Sequence, residues 1–299
     1  MTKALTILTE KGPLTGKDFQ LDTGMNTFAA WKYCAGSDQI KTRIVGRRYL
    51  RLDQKVEGYA RLSPSIMREF LNYTVVGLDR DQAEINRKAS KIEAEIAEVS
   101  RRKIELARNT VERLIRNHPD QDSFLDKATF IIAGDVVFGM AHTEPRPESS
   151  TGELVKGSDL DIIAITEDLP EKMLEDLDNM LYKEKYNLLM NPAAKEEMDY
   201  IVKDMNIVQQ QLLFDNFKKM VAAKIIYEGE YLYGSKIIFD RVKELVTEFG
   251  IPNKLSTLEK SAIDKRFEAE ETLLKAPETS DLEELMALFY TTEEKEEIF

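Results

Sequence analysis

An α+β chain built in successive parts is predicted by three observations. Short helix signals, punctuated by glycine and proline, fill the first fifty residues and lead into a basic, alternating segment. One long helical pattern follows over residues 82–118. Beyond it, short apolar runs read as strands and alternate with amphipathic helices. The 299 residues are 42% hydrophobic and 32% charged, which excludes a disordered chain. Apolar runs are short, such as 130–133 and 136–138, far below the roughly 20 residues a spanning helix needs. The first dozen residues hold no apolar stretch of signal-peptide length. Cys34 is the only cysteine, so an internal disulfide and a multi-cysteine metal site are excluded, and a cytoplasmic location is expected.

Leu5, Ile7 and Leu8 mark a first short helix, stopped by Gly12-Pro13. Thr15 is placed to cap a second, running to about Leu21. Asn26 or Thr27 can cap a third, which carries Phe28, Ala29, Ala30, Trp31 and Tyr33. Residues 40–52 alternate like two strands around Gly46. Three short helices followed by a basic hairpin form a winged helix-turn-helix plan, expected over 1–55, with the third helix offered to the major groove. Residues 1–52 hold nine Lys/Arg against four Asp/Glu, net +5, which leaves −17 on the rest of a chain whose total is −12. A basic head on an acidic body fits a polyanion partner, and an ordinary spread of surface charge is the competing reading. Lys32, Lys41, Arg43, Arg47, Arg48 and Arg51 are the expected DNA-binding residues.

Residues 56–120 are expected as a connector and the long helix. Ser63-Pro64-Ser65 reads as a helix start within the connector. Along 82–118, Ile85, Ala89, Ile92, Ile96, Val99 and Leu106 recur at spacings of three, four and seven. Such a stripe either pairs two copies into a homodimer or lies on the chain's own next domain. The homodimer is the preferred expectation.

A domain is expected over 121–250. Strands are read at 130–133, 162–165 and 198–203, and 231–234 is extended. Helices are read at 170–190, 207–226 and 237–249. Residues 251–299 are expected as a helical acidic tail. Its last part, 267–299, carries net −9 around Leu282, Leu285, Met286, Leu288, Phe289 and Tyr290.

One constellation carries chemistry: Gly157-Ser158-Asp159-Leu160-Asp161-Ile162. Residues i and i+2 of a strand share a face, so Asp159 and Asp161 present two carboxylates together while Leu160 and Ile162 turn inward. Two such charges repel unless a cation sits between them. Hard divalent cations, Mg²⁺ or Mn²⁺, take carboxylate oxygens together with substrate phosphates. An exposed turn that happens to precede a strand is the bland alternative. Upstream, a strand runs into Gly134-Asp135, and Gly139 follows five positions on.

This pattern resembles the DNA polymerase β-like nucleotidyltransferase superfamily, in its minimal nucleotidyltransferase type. Gly134 and Gly139 match the two glycines of the family's phosphate turn. Asp159 and Asp161 match its metal-binding pair, and Asp199 in Met198-Asp199-Tyr200 fits its third carboxylate, with Asp204 as the rival. Glu228-Gly229-Glu230-Tyr231-Leu232-Tyr233-Gly234 resembles a segment common after the family's helix. The resemblance covers roughly residues 125–240. It implies a Mg²⁺- or Mn²⁺-dependent transfer of a nucleoside monophosphate from an NTP, with Asp159, Asp161 and Asp199 as catalytic metal ligands. Gly134, Asp135, Gly139 and Ser158 are the nucleotide-binding candidates. Asp135 stands where the family has serine, and 24 positions separate it from Asp159, more than the family's usual spacing. The extra segment, 142–156, reads as a loop that shapes the site. A DNA-binding transcriptional regulator with an inert or nucleotide-sensing domain is the alternative.

Overall fold

The computed structural model describes residues 2–148, 150–276 and 282–291. They form two compact units, Met1–Glu95 with Leu258–Phe299, and Ile96–Thr257. Both are mixed α+β with small sheets. Among the described residues, no helix is long and apolar enough to cross a membrane.

The first unit runs α1 (Lys3–Lys11), β1 (Leu14–Thr15), α2 (Gly16–Thr23), α3 (Thr27–Gly36), β2 (Ile40–Ile44), β3 (Tyr49–Leu52), β4 (Ala60–Ser63), α4 (Ile66–Tyr73) and β5 (Thr74–Leu78). The caps fall where side-chain chemistry puts them. Thr15 accepts from the Asp18 amide, Asn26 from that of Ala29, and Ser65 from that of Arg68. The two strands expected in 40–52 exist but do not pair. β2 instead lies antiparallel to β5, with Ile44 opposite Thr74, and β3 pairs with β4, with Leu50 opposite Leu62. The reason is burial. Every residue of β5 is buried, so this apolar run takes the centre of the sheet β1–β5–β2. Residues 53–81, read from the sequence as a connector, therefore supply β4, α4 and the central strand.

The second unit holds α6 (Gln121–Lys127), β6 (Ala128–Ala133), β7 (Pro145–Pro147), β8 (Leu154–Lys156), β9 (Leu160–Thr166), α7 (Glu171–Met190), β10 (Met198–Asp204), α8 (Met205–Gln211), α9 (Phe217–Glu228), β11 (Glu230–Gly234) and α10 (Lys236–Glu248). Its sheet has the order β10–β9–β6–β11. β9 and β10 are parallel and the other pairs antiparallel. All six residues of β6 are buried, which suits a central strand. The single helix expected over 207–226 is two, because Phe214 turns to a positive φ and Asn216 caps a new start at α9.

The long helix, α5 (Gln82–Arg116), spans the boundary between the units in sequence. Much of its apolar stripe is covered within the chain. Ile85, Ala89 and Ile96 are buried, and Val99 and Leu106 pack on the core of the second unit around Val111, Phe130 and Ile162. For these residues the packing is on the chain's own units, as the competing expectation has it. The expected solvated tail also differs. The helices Ile251–Lys275 and Leu282–Phe289 contribute Leu273 and Phe289 to the first unit's core, beside Leu8, Phe19 and Met67. The rest of that expected tail, 277–281 and 292–299, lies outside the described residues.

Candidate functional site

The parallel pairing of β9 and β10 sets the site. It places Asp199 directly beside Asp161, while β6 brings Ala133 to the other side of Asp161. Asp159 stands one residue ahead of β9. Leu160 and Ile162 turn into the core, as their alternation requires. Asp159, Asp161 and Asp199 each offer an oxygen, and these oxygens lie within 4.8 Å of one another. This group can hold a metal ion. Asp204, the rival third carboxylate, is engaged elsewhere, accepting from the Ile207 amide as the cap of α8.

Two glycines make the approach possible. Gly134 sits at φ 81°, ψ −161°, backbone that essentially only glycine adopts. A Cβ there would stand 2.3 Å from Asp161 Oδ2. At Gly157 a Cβ would meet the His142 carbonyl oxygen at 1.9 Å. Ser158 is buried and ties the loops together. Its hydroxyl accepts from the His142 amide and lies 3.3 Å from Asp135 Oδ2. After Gly134 the chain makes a single 3₁₀ turn, Asp135–Phe138, closed by Gly139 in the left-handed region. The sequence suggested amides at a helix start. One turn is too short to be a helix of that kind, because the apolar residues that follow, Met140 and Ala141, are drawn into the core instead.

The extra segment shapes the site more directly than its sequence indicated. β7 and β8 pair as an antiparallel hairpin, and Arg146 on β7 reaches the acids. Its Nη2 lies 2.8 Å from Glu197 and 3.8 Å from Asp159, and its Nε donates to the Gly157 carbonyl. Lys185 on α7 donates to Asp199. Arg146, Lys185 and Glu197 escaped the sequence reading. A lone arginine in a polar loop and a lysine on an amphipathic helix carry no spacing signal.

The crowding has electrostatic consequences. Over a third of the Asp159 side chain is exposed, yet desolvation raises its carboxyl above the ordinary range. Arg146 pulls it back, while the charges of Asp135 and Asp199 add to the rise. Burial likewise raises Glu197, against the pull of Arg146. Desolvation opposes the Lys185 ammonium, but the hydrogen bond and charge of Asp199 outweigh it and hold it above its usual value. Excess negative charge around one point is what a divalent cation relieves.

Elsewhere the hairpin is held by Glu148, whose carboxylate accepts from the hydroxyls and amides of Ser150 and Thr151. These bonds, first those of Ser150, hold it down at about 2. Such a depressed carboxyl stabilises the fold above its ordinary pKa near 4.5, and that contribution disappears as pH falls toward 2. Glu148→Gln is expected to cost about 1 kcal/mol at pH 7. Urea unfolding across pH should show the gap to wild type closing between pH 4.5 and 2. A gap independent of pH would contradict this role.

The expected DNA-binding residues are not brought together as one set. Lys32 donates to the Ala276 carbonyl, and Phe28 and Trp31 on the same helix pack on Phe289. Arg48 is withdrawn into a network with Glu69 and Glu270 at 2.6 and 2.9 Å. Burial works against its charge, and those two carboxylates more than compensate. Lys41, Arg43, Arg47 and Arg51 are exposed, with Arg43 hydrogen-bonded to Asn86 and Lys41 3.8 Å from Asp79. Cys34 is a core residue, and burial pushes its thiol up to about 12.

No family model and no curated protein matches this chain. Two solved structures that match it are toxin-antitoxin structures. One, with AMP-PNP, is 15% identical over 52% of this chain and 95% of that chain, at a TM-score of 0.27. The other, a mutant of the toxin-antitoxin MntA-HpeT, is 12% identical with the same coverage, at a TM-score of 0.26. Likeness this distant carries no argument about this chain, and the functional reading rests on the site itself.

Proposed function

We propose that the second unit is a metal-dependent nucleotidyltransferase. The observation that carries this reading is the trio Asp159, Asp161 and Asp199 with oxygens within 4.8 Å. The residues fit a Mg²⁺ or Mn²⁺ ion: the donors are all carboxylate oxygens, and their mutual repulsion calls for a cation. Asp159 and Asp161 would hold it together with the NTP phosphates, and Asp199 would complete the set. When bound, the metal supplies charge neutralisation of the phosphates. The chain's own groups do the rest. Asp199, held in place by its hydrogen bond from Lys185, accepts the proton of the acceptor hydroxyl. The acceptor oxygen bonds to the α-phosphorus, the bond from that phosphorus to the bridging oxygen breaks, and pyrophosphate leaves with the bonding electrons. Arg146, beside Asp159, is placed to receive phosphate charge. Incubation with each α-labelled NTP, Mg²⁺ or Mn²⁺, and total cellular RNA and protein should place label on one class of acceptor. No transfer under any combination would count against the reading.

A second reading is supported by two observations. Asp135 replaces the family's serine, and the turn after Gly134 offers no helix start. In this reading the second unit senses a nucleotide without turnover, and the first unit is a winged-helix DNA binder. The run α1–β1–α2–α3–β2 and the three-stranded sheet that β5 completes support that plan. Contact is narrowed to Lys41, Arg43, Arg47 and Arg51. Arg47→Ala with Arg51→Ala should lower the slope of log affinity against log salt by about two on duplex DNA. A wild-type protein that shifts no fragment at low salt would dispose of DNA contact.

A further inference from the structure

Beside the carboxylates, the second unit has a cavity of about 350 Å³, within the range of small-molecule sites. Asp161 and Asp199 form one part of its wall. Its sides are aliphatic: Ile163 and Ile201 from the sheet face Val221 and Ile225 of α9. Polar groups recur at the far end, where Lys203 and Gln211 sit. Residues 199, 201 and 203 alternate along β10, so their side chains share the face that carries the acid site. Four residues of strand put Lys203 about 13 Å along from Asp199.

Lys203 is buried at 5% exposure. Among the described residues it has no carboxylate in ion-pair reach. The hydrogen bond found for its ammonium goes to Gln211 Oε1 at 2.9 Å. An ammonium has three protons and only donates. It therefore fixes the Gln211 oxygen toward itself and leaves the amide NH₂ as the group Gln211 offers the cavity. Burial lowers the Lys203 pKa, in keeping with an ammonium that lacks a partner for its remaining protons. Both groups at this end are thus donors. They share the cavity with its aliphatic side chains and with Lys218, a further donor from α9, one nucleotide's reach from the acids.

We propose that this cavity holds the base of the donor nucleotide and reads it through Lys203 and Gln211, favouring a base edge that carries a carbonyl oxygen, guanine or uracil, over the amino edge of adenine. The proposal rests on the nucleotidyltransferase reading and adds the nucleotide preference to it. Guanine O6 with N7, or uracil O4, accepts from both groups. The adenine amino group sets N–H against N–H and leaves buried donors unpaired, which is the costly case. The aliphatic side chains clasp either face of any base, so discrimination comes from the donors of the lining, Lys203 and Gln211 at its far end.

The test is binding of non-transferable α,β-methylene analogues of GTP, UTP and ATP with Mg²⁺, by calorimetry. Wild type, Lys203→Met and Gln211→Leu are compared, with inorganic tripolyphosphate as the base-free control. The expected result is GTP or UTP analogue at least tenfold tighter than the ATP analogue in wild type. That ratio should fall toward one in each variant, with tripolyphosphate affinity unchanged. Because the ratio is read, a general loosening of the fold does not imitate the effect, and Gln211→Leu, at the end of α8, serves if Lys203→Met fails to fold. Nucleotide binding without a preference, a preference for adenine, or a preference both variants keep would overturn the proposal and leave the nucleotidyltransferase reading standing. Failure of wild type to bind any nucleotide or tripolyphosphate, with Mg²⁺ or Mn²⁺, would overturn both.

Discussion

Asp159→Asn and Asp161→Asn are each expected to lower nucleotidyl transfer by about a thousandfold or more, roughly 4 kcal/mol of transition-state stabilisation, while the protein stays folded. The two effects separate for an electrostatic reason. The carboxylates sit within 4.8 Å of one another and of Asp199, so in the free protein each raises the energy of the others. Replacing one by a neutral amide removes that repulsion, and the melting temperature should hold or rise slightly. With metal and nucleotide present, the same substitution removes a ligand oxygen from the place where charge must be neutralised. Single-turnover rates beside far-UV circular dichroism measure both. Variants that transfer at the wild-type rate would remove these residues from catalysis. Variants that unfold would give the acids a structural role instead.

Gly134→Ala is the second large effect, and it acts through Asp161. The backbone there costs about 1–3 kcal/mol for any residue with a Cβ. The new methyl would also stand 2.3 Å from Asp161 Oδ2. Relief requires the carboxylate to swing away, and its register with Asp199 leaves little room. The variant should lose Mn²⁺ affinity about as far as Asp161→Asn does, at a stability loss of about 1–3 kcal/mol. Titration of bound Mn²⁺ by paramagnetic relaxation checks it. Wild-type Mn²⁺ affinity in a folded Gly134→Ala protein would show that the approach at Gly134 does not position Asp161.

Much of this site was legible because strands have a period of two. Asp159, Leu160, Asp161 and Ile162 alternate plainly, and Asp199 begins a second apolar run with its acid at the matching end. The parallel pairing that sets Asp199 beside Asp161 follows no local rule, but it satisfies the same alternation. Arg146 was not legible. It reaches the acids only because β7 and β8 fold back as a hairpin, and a polar loop carrying prolines gives no sign of that. The first unit shows the opposite error. The basic residues at 40–52 looked like one hairpin, yet pairing is decided by which apolar strand needs covering, and Thr74–Leu78 claims the centre. Arg48 looked like a surface contact. Its partner Glu270 lies 222 positions away, so no sequence window could reveal that it is engaged. The stripe on the long helix was legible as apolar, and its Val99 and Leu106 pack on the core of the second unit. Periodicity reports that a face is buried, never against what.

The claim on which the rest depends is that the acid trio drives attack at the α-phosphorus. The direct measurement follows one NTP carrying label at either the α or the γ position, incubated with Mg²⁺ and a cell extract as acceptor. The expected result is α-label bound covalently to an acceptor and γ-label released as pyrophosphate, both abolished by Asp161→Asn. Label from the γ position on the acceptor, or γ-label released as orthophosphate with no α-label transferred, would contradict it.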